Sequence, residues 1–246
     1  LQNIIYIISS ILFITGIKML GKEDTAVKGN FLSALAMFIA VSITLIDVIN
    51  PVVLLSGIAV GAVIGSAIAL RVKMTSIPEM VALFNGFGGA ATFLIAWSEF
   101  NSIPDSLFQH ILIMVTIYIG GVTFTGSLIA YGKLSEKISI AKTSIITKIF
   151  TTLFYASLVF LIYALIQPIT PSVEFNFFTI LLALTLLGGI GFVLPIGGGD
   201  MPVVISLLNS FSGIAAAFAG LLLLNNVLIV AGSLVGASGL ILTIIM

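Results

Sequence analysis

Residues 197–220 read GGGDMPVVISLLNSFSGIAAAFAG, a sequence typical of a membrane-spanning helix that starts at a polar loop. Three glycines and Asp200 come first, Pro202 follows, and Asn209 lies within the apolar run. Proline suits the first turn of a helix, and an acid there complements the helix dipole. The stretch therefore predicts an apolar helix with one amide inside it.

A second stretch repeats this pattern. Residues 76–91 read SIPEMVALFNGFGGAA, and when the two prolines are aligned, Asn85 falls on Asn209. Gly- and Ser-rich spans follow both copies, at 120–132 and 231–243. Helices three to five would then resemble helices seven to nine in the same orientation. Some transporters contain such a parallel repeat, with the site between the halves. The two asparagines are therefore predicted to face one site.

The composition is that of an integral membrane protein. The chain has 246 residues, of which 60% are hydrophobic and 7% charged, and its mean hydropathy is +1.32. Soluble domains carry about 25% charged residues. The absence of cysteine excludes disulfides and thiolate metal sites. The net charge of zero leaves no basic face that would indicate nucleic acid as a partner.

Nine segments have the length and apolar character of membrane-spanning helices, for which about 20 residues are needed. The long runs lack the alternation of a β-barrel, so the predicted fold is an all-α bundle of nine transmembrane helices. The predicted segments are 3–20, 30–46, 52–70, 79–97, 108–131, 147–167, 175–194, 202–221 and 225–245.

The cations predict the orientation in the lipid bilayer. All nine fall in the first, third and fifth connections: Lys18, Lys22, Lys28, Arg71, Lys73, Lys133, Lys137, Lys142 and Lys148. The opposite connections contain no cation and carry Asp47, Glu99, Asp105, His110 and Glu174. The positive-inside rule then predicts an N-terminus outside and a C-terminus in the cytoplasm. Because the last helix runs to Met246, residues 1–246 are expected to be one transmembrane domain of a longer protein.

The two intramembrane amides each lie about two turns from a predicted cytoplasmic helix start, roughly 10 Å deep. An amide at that depth needs a partner or water. One interpretation is that Asn85 and Asn209 only hold neighbouring helices together. The other is that they line a thin, intermittently hydrated path. An amide does not titrate near pH 7, so it would orient water and would not carry a proton.

Several other polar residues are candidates for the same path or its cytoplasmic end. Glu79 starts the first copy of the repeat, where stabilisation of the helix dipole also explains it. Five hydroxyl side chains could hydrogen-bond to a file of waters, or could simply bond the carbonyls of their own helix. They are Thr123, Thr125, Ser127, Ser233 and Ser238. The loop before Pro202 is predicted to be a flexible hinge or docking point, and consists of Gly197, Gly198, Gly199 and Asp200.

These segments resemble one known family over nearly the whole chain. The strings IGGGDMPVVISLLNSFSGIAAAFAG, VKMTSIPEMVALFNGFGG, GGVTFTGSLIAYGKLSEKIS and NNVLIVAGSLVGASG are similar to the beta subunits of proton-translocating NAD(P) transhydrogenases. The resemblance implies an NADP(H)-binding domain after the last helix and an alpha partner with an NAD(H) domain and further membrane helices. It also implies a dimer of protomers in the cell inner membrane. Inward proton movement would drive hydride transfer from NADH to NADP⁺ in the cytoplasmic domains, so these 246 residues would bind no cofactor themselves.

The resemblance also suggests roles for single residues. Asp200 falls on the family's loop aspartate, which is thought to couple to the NADP(H) domain. Asn209 falls on its intramembrane asparagine, and Ser238 on a small-residue patch of its last helix. Many members have a protonatable histidine where this chain has Asn85. The proton carrier would then lie on the alpha partner, on a water chain or on Glu79.

Two other functions remain open from the residues alone. The parallel repeat would also suit a stand-alone secondary transporter or channel for a small ion or solute. A purely structural membrane anchor is less compatible with paired intramembrane amides.

Overall fold

The computed structural model describes residues 2–47, 51–100, 106–139, 144–166 and 171–246. Asp105, Lys142 and the side chains of Asp47 and Glu174 lie outside what is described. Within the described ranges the chain forms nine α-helices. They are α1 (Gln2–Leu20), α2 (Ala26–Thr44), α3 (Pro51–Arg71), α4 (Ile77–Phe100), α5 (Leu107–Leu134), α6 (Ile145–Ile166), α7 (Pro171–Val193), α8 (Met201–Leu222) and α9 (Asn226–Ile245).

The predicted fold class is confirmed: each of the nine predicted segments coincides with one of these helices. Eight of the helices are long and apolar enough to cross a membrane. In α7 the described side chains form a shorter apolar segment, Phe177–Val193. The protein is therefore a multi-pass helical membrane protein.

Residues 1–75 form one compact unit. Its α1 and α2 pack as a hairpin, and the Tyr6 hydroxyl lies 2.8 Å from Thr44 Oγ1. The two helices approach closely at Gly16 and Gly29, where a Cβ on Gly29 would lie 2.7 Å from the Gly16 carbonyl oxygen. The third helix of this unit, α3, has no buried residue among its described side chains.

Residues 76–246 form the second unit, and α5 is its central helix. It packs against α4, α6, α7 and α8, whereas α9 packs along α8. Side-chain caps define two of the helix starts. Ser106 Oγ accepts a hydrogen bond from the Gln109 amide at α5, and Asn225 Oδ1 accepts one from the Leu228 amide at α9.

Close glycine contacts join the helix pairs α4–α5 and α8–α9. A Cβ on Gly89 would lie 2.9 Å from the Gly120 carbonyl oxygen, and a Cβ on Gly213 would overlap the Gly236 backbone. Gly89 and Gly213 occupy equivalent positions in the sequence repeat. Both copies therefore pack onto the following helix through a glycine at the same position, which agrees with the repeat.

Two clusters of buried apolar residues fill the second unit. One contains Ile113, Met114, Ile117 and Leu181, between α5 and α7. The other lies toward the predicted cytoplasmic end, and contains Ala82, Ala130, Val193, Met201, Val204, Ile205 and Leu208 from α4, α5, α7 and α8. The predicted site residue Asn85 lies on α4 one turn after Ala82 of this second cluster.

A polar cluster between α4, α5 and α8 and its cytoplasmic mouth

Asn85 joins three helices through one amide. Its Nδ2 donates a hydrogen bond to Ser127 Oγ on α5 at 2.9 Å. Its Oδ1 accepts one from Ser212 Oγ on α8 at 2.6 Å. Ser212 Oγ is also 2.9 Å from the backbone carbonyl oxygen of Asn209. We call Asn85, Ser127, Ser212 and Asn209 the amide cluster.

Small residues on α4 allow this arrangement. Gly86 is buried, and a Cβ there would lie 3.2 Å from the Ser127 Cβ. Gly89, one turn on, contacts the α5 backbone at Gly120. Because these glycines bring α5 close to α4, the Asn85 amide reaches the buried Ser127 hydroxyl directly. Small residues at membrane helix contacts commonly permit such close approach.

The structure brings Asn85 and Asn209 to the same place but gives them different environments. Both side chains are half-buried. The Asn85 amide uses both its nitrogen and its oxygen within the cluster. The Asn209 side chain makes no hydrogen bond to any described residue, and only its carbonyl oxygen takes part. Since an amide in the membrane needs a partner, the Asn209 side chain is suited to bind water or a polar group from outside this unit.

The cluster can hold and orient a proton donor or acceptor without being one. Its side chains are two amides and two hydroxyls, and none of these titrates near neutral pH. Among the described residues, no carboxylate, amine or imidazole hydrogen-bonds to Asn85, Ser127 or Ser212. A proton that passed here would therefore travel on water or on a group supplied by another chain.

The other predicted path residues lie apart from the amide cluster. Thr125 faces α7 at Gly189 and bonds the Gly121 carbonyl of its own helix at 3.2 Å. Ser238 is exposed and bonds the Val235 carbonyl at 3.0 Å. Glu79 is half-buried in the first turn of α4, two turns before Asn85.

Of the hydroxyl candidates, Ser127 is the one that bonds Asn85. Thr123, one turn before it on α5, is buried, and its Oγ1 has no partner among the described residues. Sequence reasoning did not identify Ser212. Its position three residues after Asn209 was an available signal, because residues at that spacing share a helix face.

The loop before α8 is ordered as a single turn. Residues Gly198–Asp200 form a 3-10 helix, and the Asp200 amide donates to the Gly197 carbonyl at 3.2 Å. No glycine in the described chain has a positive φ, and a Cβ on Gly198 or Gly199 would meet nothing within 4 Å. Neither backbone conformation nor packing against the described residues requires these two glycines. Asp200 is exposed at the start of α8, and its carboxylate caps no backbone amide there.

A cavity of about 930 Å³ opens beside this loop. It is lined by the end of α5 and the residues that follow it, by the segment after α7 and by the loop itself, with Lys133, Glu136, Ser139, Pro195, Ile196 and Asp200 among the lining residues. The sequence indicates Lys133 only as one cation of the fifth connection. Its place in the last turn of α5 was the available signal, because cations there can bond helix-terminal carbonyls.

The regular elements in the described ranges are all helical. These ranges therefore do not contain the strand–helix turn at which doubly wound folds hold the pyrophosphate of a dinucleotide. In the same ranges, no three His, Asp or Glu side chains come together as a metal site would need.

Comparison with known proteins supplies the family. The family described as NAD(P) transhydrogenase beta subunit matches residues 2–246. The chain is similar to the NAD(P) transhydrogenase subunit beta of Rhodospirillum rubrum, with 36% identity over 98% of this chain and 54% of that protein. The corresponding protein of R. rubrum strain ATCC 11170 gives the same identity and coverage. The chain thus spans about half the length of the curated relatives it matches. A match that extends over nearly all its residues shows that the chain belongs to the NAD(P) transhydrogenase beta-subunit family.

Proposed function

We propose that this chain is the membrane domain of a proton-translocating NAD(P) transhydrogenase. Protons cross the membrane through it and drive hydride transfer in attached cytoplasmic domains. There, NADH is oxidised to NAD⁺ and NADP⁺ is reduced to NADPH. The chain works with an NADP(H)-binding domain that continues from it, with an alpha subunit that supplies an NAD(H) domain and membrane helices, and as a dimer in the cell inner membrane.

The observation that carries this proposal is the amide cluster. Asn85, Ser127 and Ser212 come from three apolar helices and bond one another at 2.6–2.9 Å. Polar groups are costly within a membrane and commonly mark ion pathways. In this proposal the cluster orients water along the path, and the Asn209 amide faces the group that completes it. Thr125, Ser238 and Glu79 remain predicted parts of the path at other depths.

The second support is the loop before α8. Asp200 is exposed and follows three glycines, of which Gly198 and Gly199 pack against none of the described residues. We propose that Gly197, Gly198, Gly199 and Asp200 contact the NADP(H) domain. Through this contact, a change in the NADP(H) domain would affect the proton path in the membrane. A close contact with another domain would explain the glycines, since any side chain there would hold the two surfaces apart.

The test uses the full complex in inside-out vesicles, with hydride transfer from NADPH to NAD⁺ and the proton uptake that this reverse reaction drives measured in parallel. Asp200→Ala is expected to lower the number of protons moved per hydride, or to slow both rates together, because the carboxylate links the two events. Glu23→Ala is the matched control: it removes an exposed acid from the predicted cytoplasmic side of the other unit. Wild-type coupling in Asp200→Ala would contradict the coupling role. Rapid proton flux through residues 1–246 alone, without partner or nucleotide, would favour a stand-alone transporter.

A further inference from the structure

The ammonium group of Lys133 donates all its hydrogen bonds to backbone carbonyls of one short segment. It lies in the last turn of α5, and its Nζ donates to the carbonyl oxygens of Val193 at 3.3 Å, Leu194 at 2.5 Å and Ile196 at 2.5 Å. An ammonium group has three N–H donors. Three carbonyls therefore account for the whole hydrogen-bonding capacity of this half-buried side chain.

These carbonyls belong to the end of α7 and to the segment that follows it. Val193 is the last residue of α7, and the last carbonyls of a helix have no partner inside it. A positive charge at this end also complements the helix dipole. Ile196 directly precedes Gly197. Lys133 thus caps α7 and fixes the chain up to the first residue of the glycine loop.

Beyond Ile196 the loop has little to hold it. Asp200 N donates to the Gly197 carbonyl within the turn, and a Cβ on Gly198 or Gly199 would meet no neighbour within 4 Å. The four residues 197–200 are all exposed. On the side of the loop that leads from α7, the hydrogen bonds of Lys133 therefore determine where Asp200 lies.

The same helix also reaches the amide cluster. Ser127, which accepts the hydrogen bond from Asn85, precedes Lys133 by six residues on α5. That separation is about 9 Å along a helix axis. A shift of α5 would act on the Asn85–Ser127 bond and on the carbonyls at the end of α7 together.

We propose that Lys133 is a positioning residue that holds the Asp200 loop in register with the amide cluster through α5. The expected effect of Lys133 on coupling rests on the proposed function. Its expected effect on the loop does not depend on that function. Lys137, the next cation along the chain, donates instead to the Tyr131 hydroxyl at 3.2 Å. Its substitution therefore gives a control that removes a charge near Lys133 without touching the end of α7.

The first measurement follows the segment that leads into the loop. The 246 residues contain no cysteine, so Leu194→Cys provides a single labelling position, at a buried side chain of the residue whose carbonyl Lys133 binds, in a complex whose other cysteines have been replaced. Labelling of a buried thiol requires the segment to open, so in the full complex Lys133→Met is expected to raise the rate of maleimide labelling at position 194 by about tenfold, the factor that one lost bond to a charged donor represents. Lys133→Arg, which keeps the charge and several donors, and Lys137→Met are both expected to leave the rate near that of the parent.

The second measurement follows coupling in the same complexes without the cysteine. Lys133→Met is expected to lower the number of protons moved per hydride, and Lys133→Arg to restore most of it. If Lys133 had only a structural role, its substitution would reduce the amount of folded complex. The rates of hydride transfer and proton translocation would then fall together, and their ratio would not change.

The outcomes separate this inference from the proposed function. If Lys133→Met is labelled faster but the parent complex translocates no protons, the positioning role is retained and the proposed function is overturned. Unchanged labelling in Lys133→Met would overturn the positioning role, whatever the complex translocates. If Lys133→Met does not assemble, Lys133→Gln takes its place with the same expected rise. Failure of both to assemble, while Lys137→Met assembles, would make Lys133 a folding residue and also overturn the inference.

Discussion

At the scale of single residues, two asparagines at matching positions of the repeat have different bonding. Asn85 makes two side-chain hydrogen bonds, to Ser127 and Ser212. The Asn209 side chain makes none with the described residues, although its carbonyl oxygen lies 2.9 Å from Ser212 Oγ. The repeat made the two amides look equivalent, and the packing of α4 against α5 makes them differ.

This difference predicts unequal effects on stability. Asn85→Ala is expected to lower the free energy of unfolding of the chain by about 1 kcal/mol, the usual size for polar contacts between membrane helices. Asn209→Ala, the matched variant, is expected to change it by less than about 0.5 kcal/mol, because no side-chain hydrogen bond to a described residue is lost. Thermal or denaturant unfolding in detergent measures both. An equal loss in the two variants would contradict the assigned bonding.

The sequence identified the amides but not their partners. An isolated Asn in a long apolar run is conspicuous because polar groups are costly there. Ser127 and Ser212 are not conspicuous, because serine also serves as a small residue and can bond its own helix. Which hydroxyl reaches Asn85 depends on the rotation and register of α5 and α8, and these are set by side chains distributed along the helices.

At the scale of helices, α5 connects the features of the second unit. It packs against four other helices and carries both Ser127 and Lys133. Its apolar sequence resembles that of the other helices, so periodicity gave no sign that it would be central. Its glycines and small polar residues allow neighbours to approach on several sides, as Gly120, Gly121 and Gly126 do toward α4, α7 and α8.

Adjacent glycines of α4 give a direct test of the helix contact. Gly89→Ala is expected to destabilise the chain by about 1–3 kcal/mol, since its Cβ would lie 2.9 Å from the Gly120 carbonyl oxygen. Gly88→Ala is the control, because a Cβ there meets nothing within 4 Å. Alanine favours a helix over glycine, so this variant is expected to be neutral or more stable by up to about 1 kcal/mol. Unfolding curves in detergent measure the difference, and a reversed order would contradict the α4–α5 packing.

At the scale of the whole molecule, the orientation in the membrane remains a prediction from the cations. Ser139 follows the end of α5, and Leu224 follows the end of α8. Both residues are exposed. The positive-inside rule places the first in the cytoplasm and the second outside.

Single-cysteine variants test this orientation. In intact cells, a membrane-impermeant maleimide is expected to label Leu224→Cys and to leave Ser139→Cys unlabelled. Inside-out vesicles are expected to give the opposite result. Labelling of both positions from one side would contradict the assigned number of crossings between α5 and α8, and the reverse pattern would contradict the predicted orientation.

The sequence by itself determined that the chain is a helical membrane protein, where its nine helices lie, and which family it resembles. Membrane spans can be found from sequence because each must bury its own backbone hydrogen bonds over a fixed length of apolar residues. Only the tertiary structure decided that α5 is the central helix of the second unit, that Asn85 bonds Ser127 and Ser212, and that Lys133 caps α7 beside Asp200. The physical reason is that these contacts depend on helix rotation and close approach between segments far apart in the chain, which hydropathy along one segment does not encode.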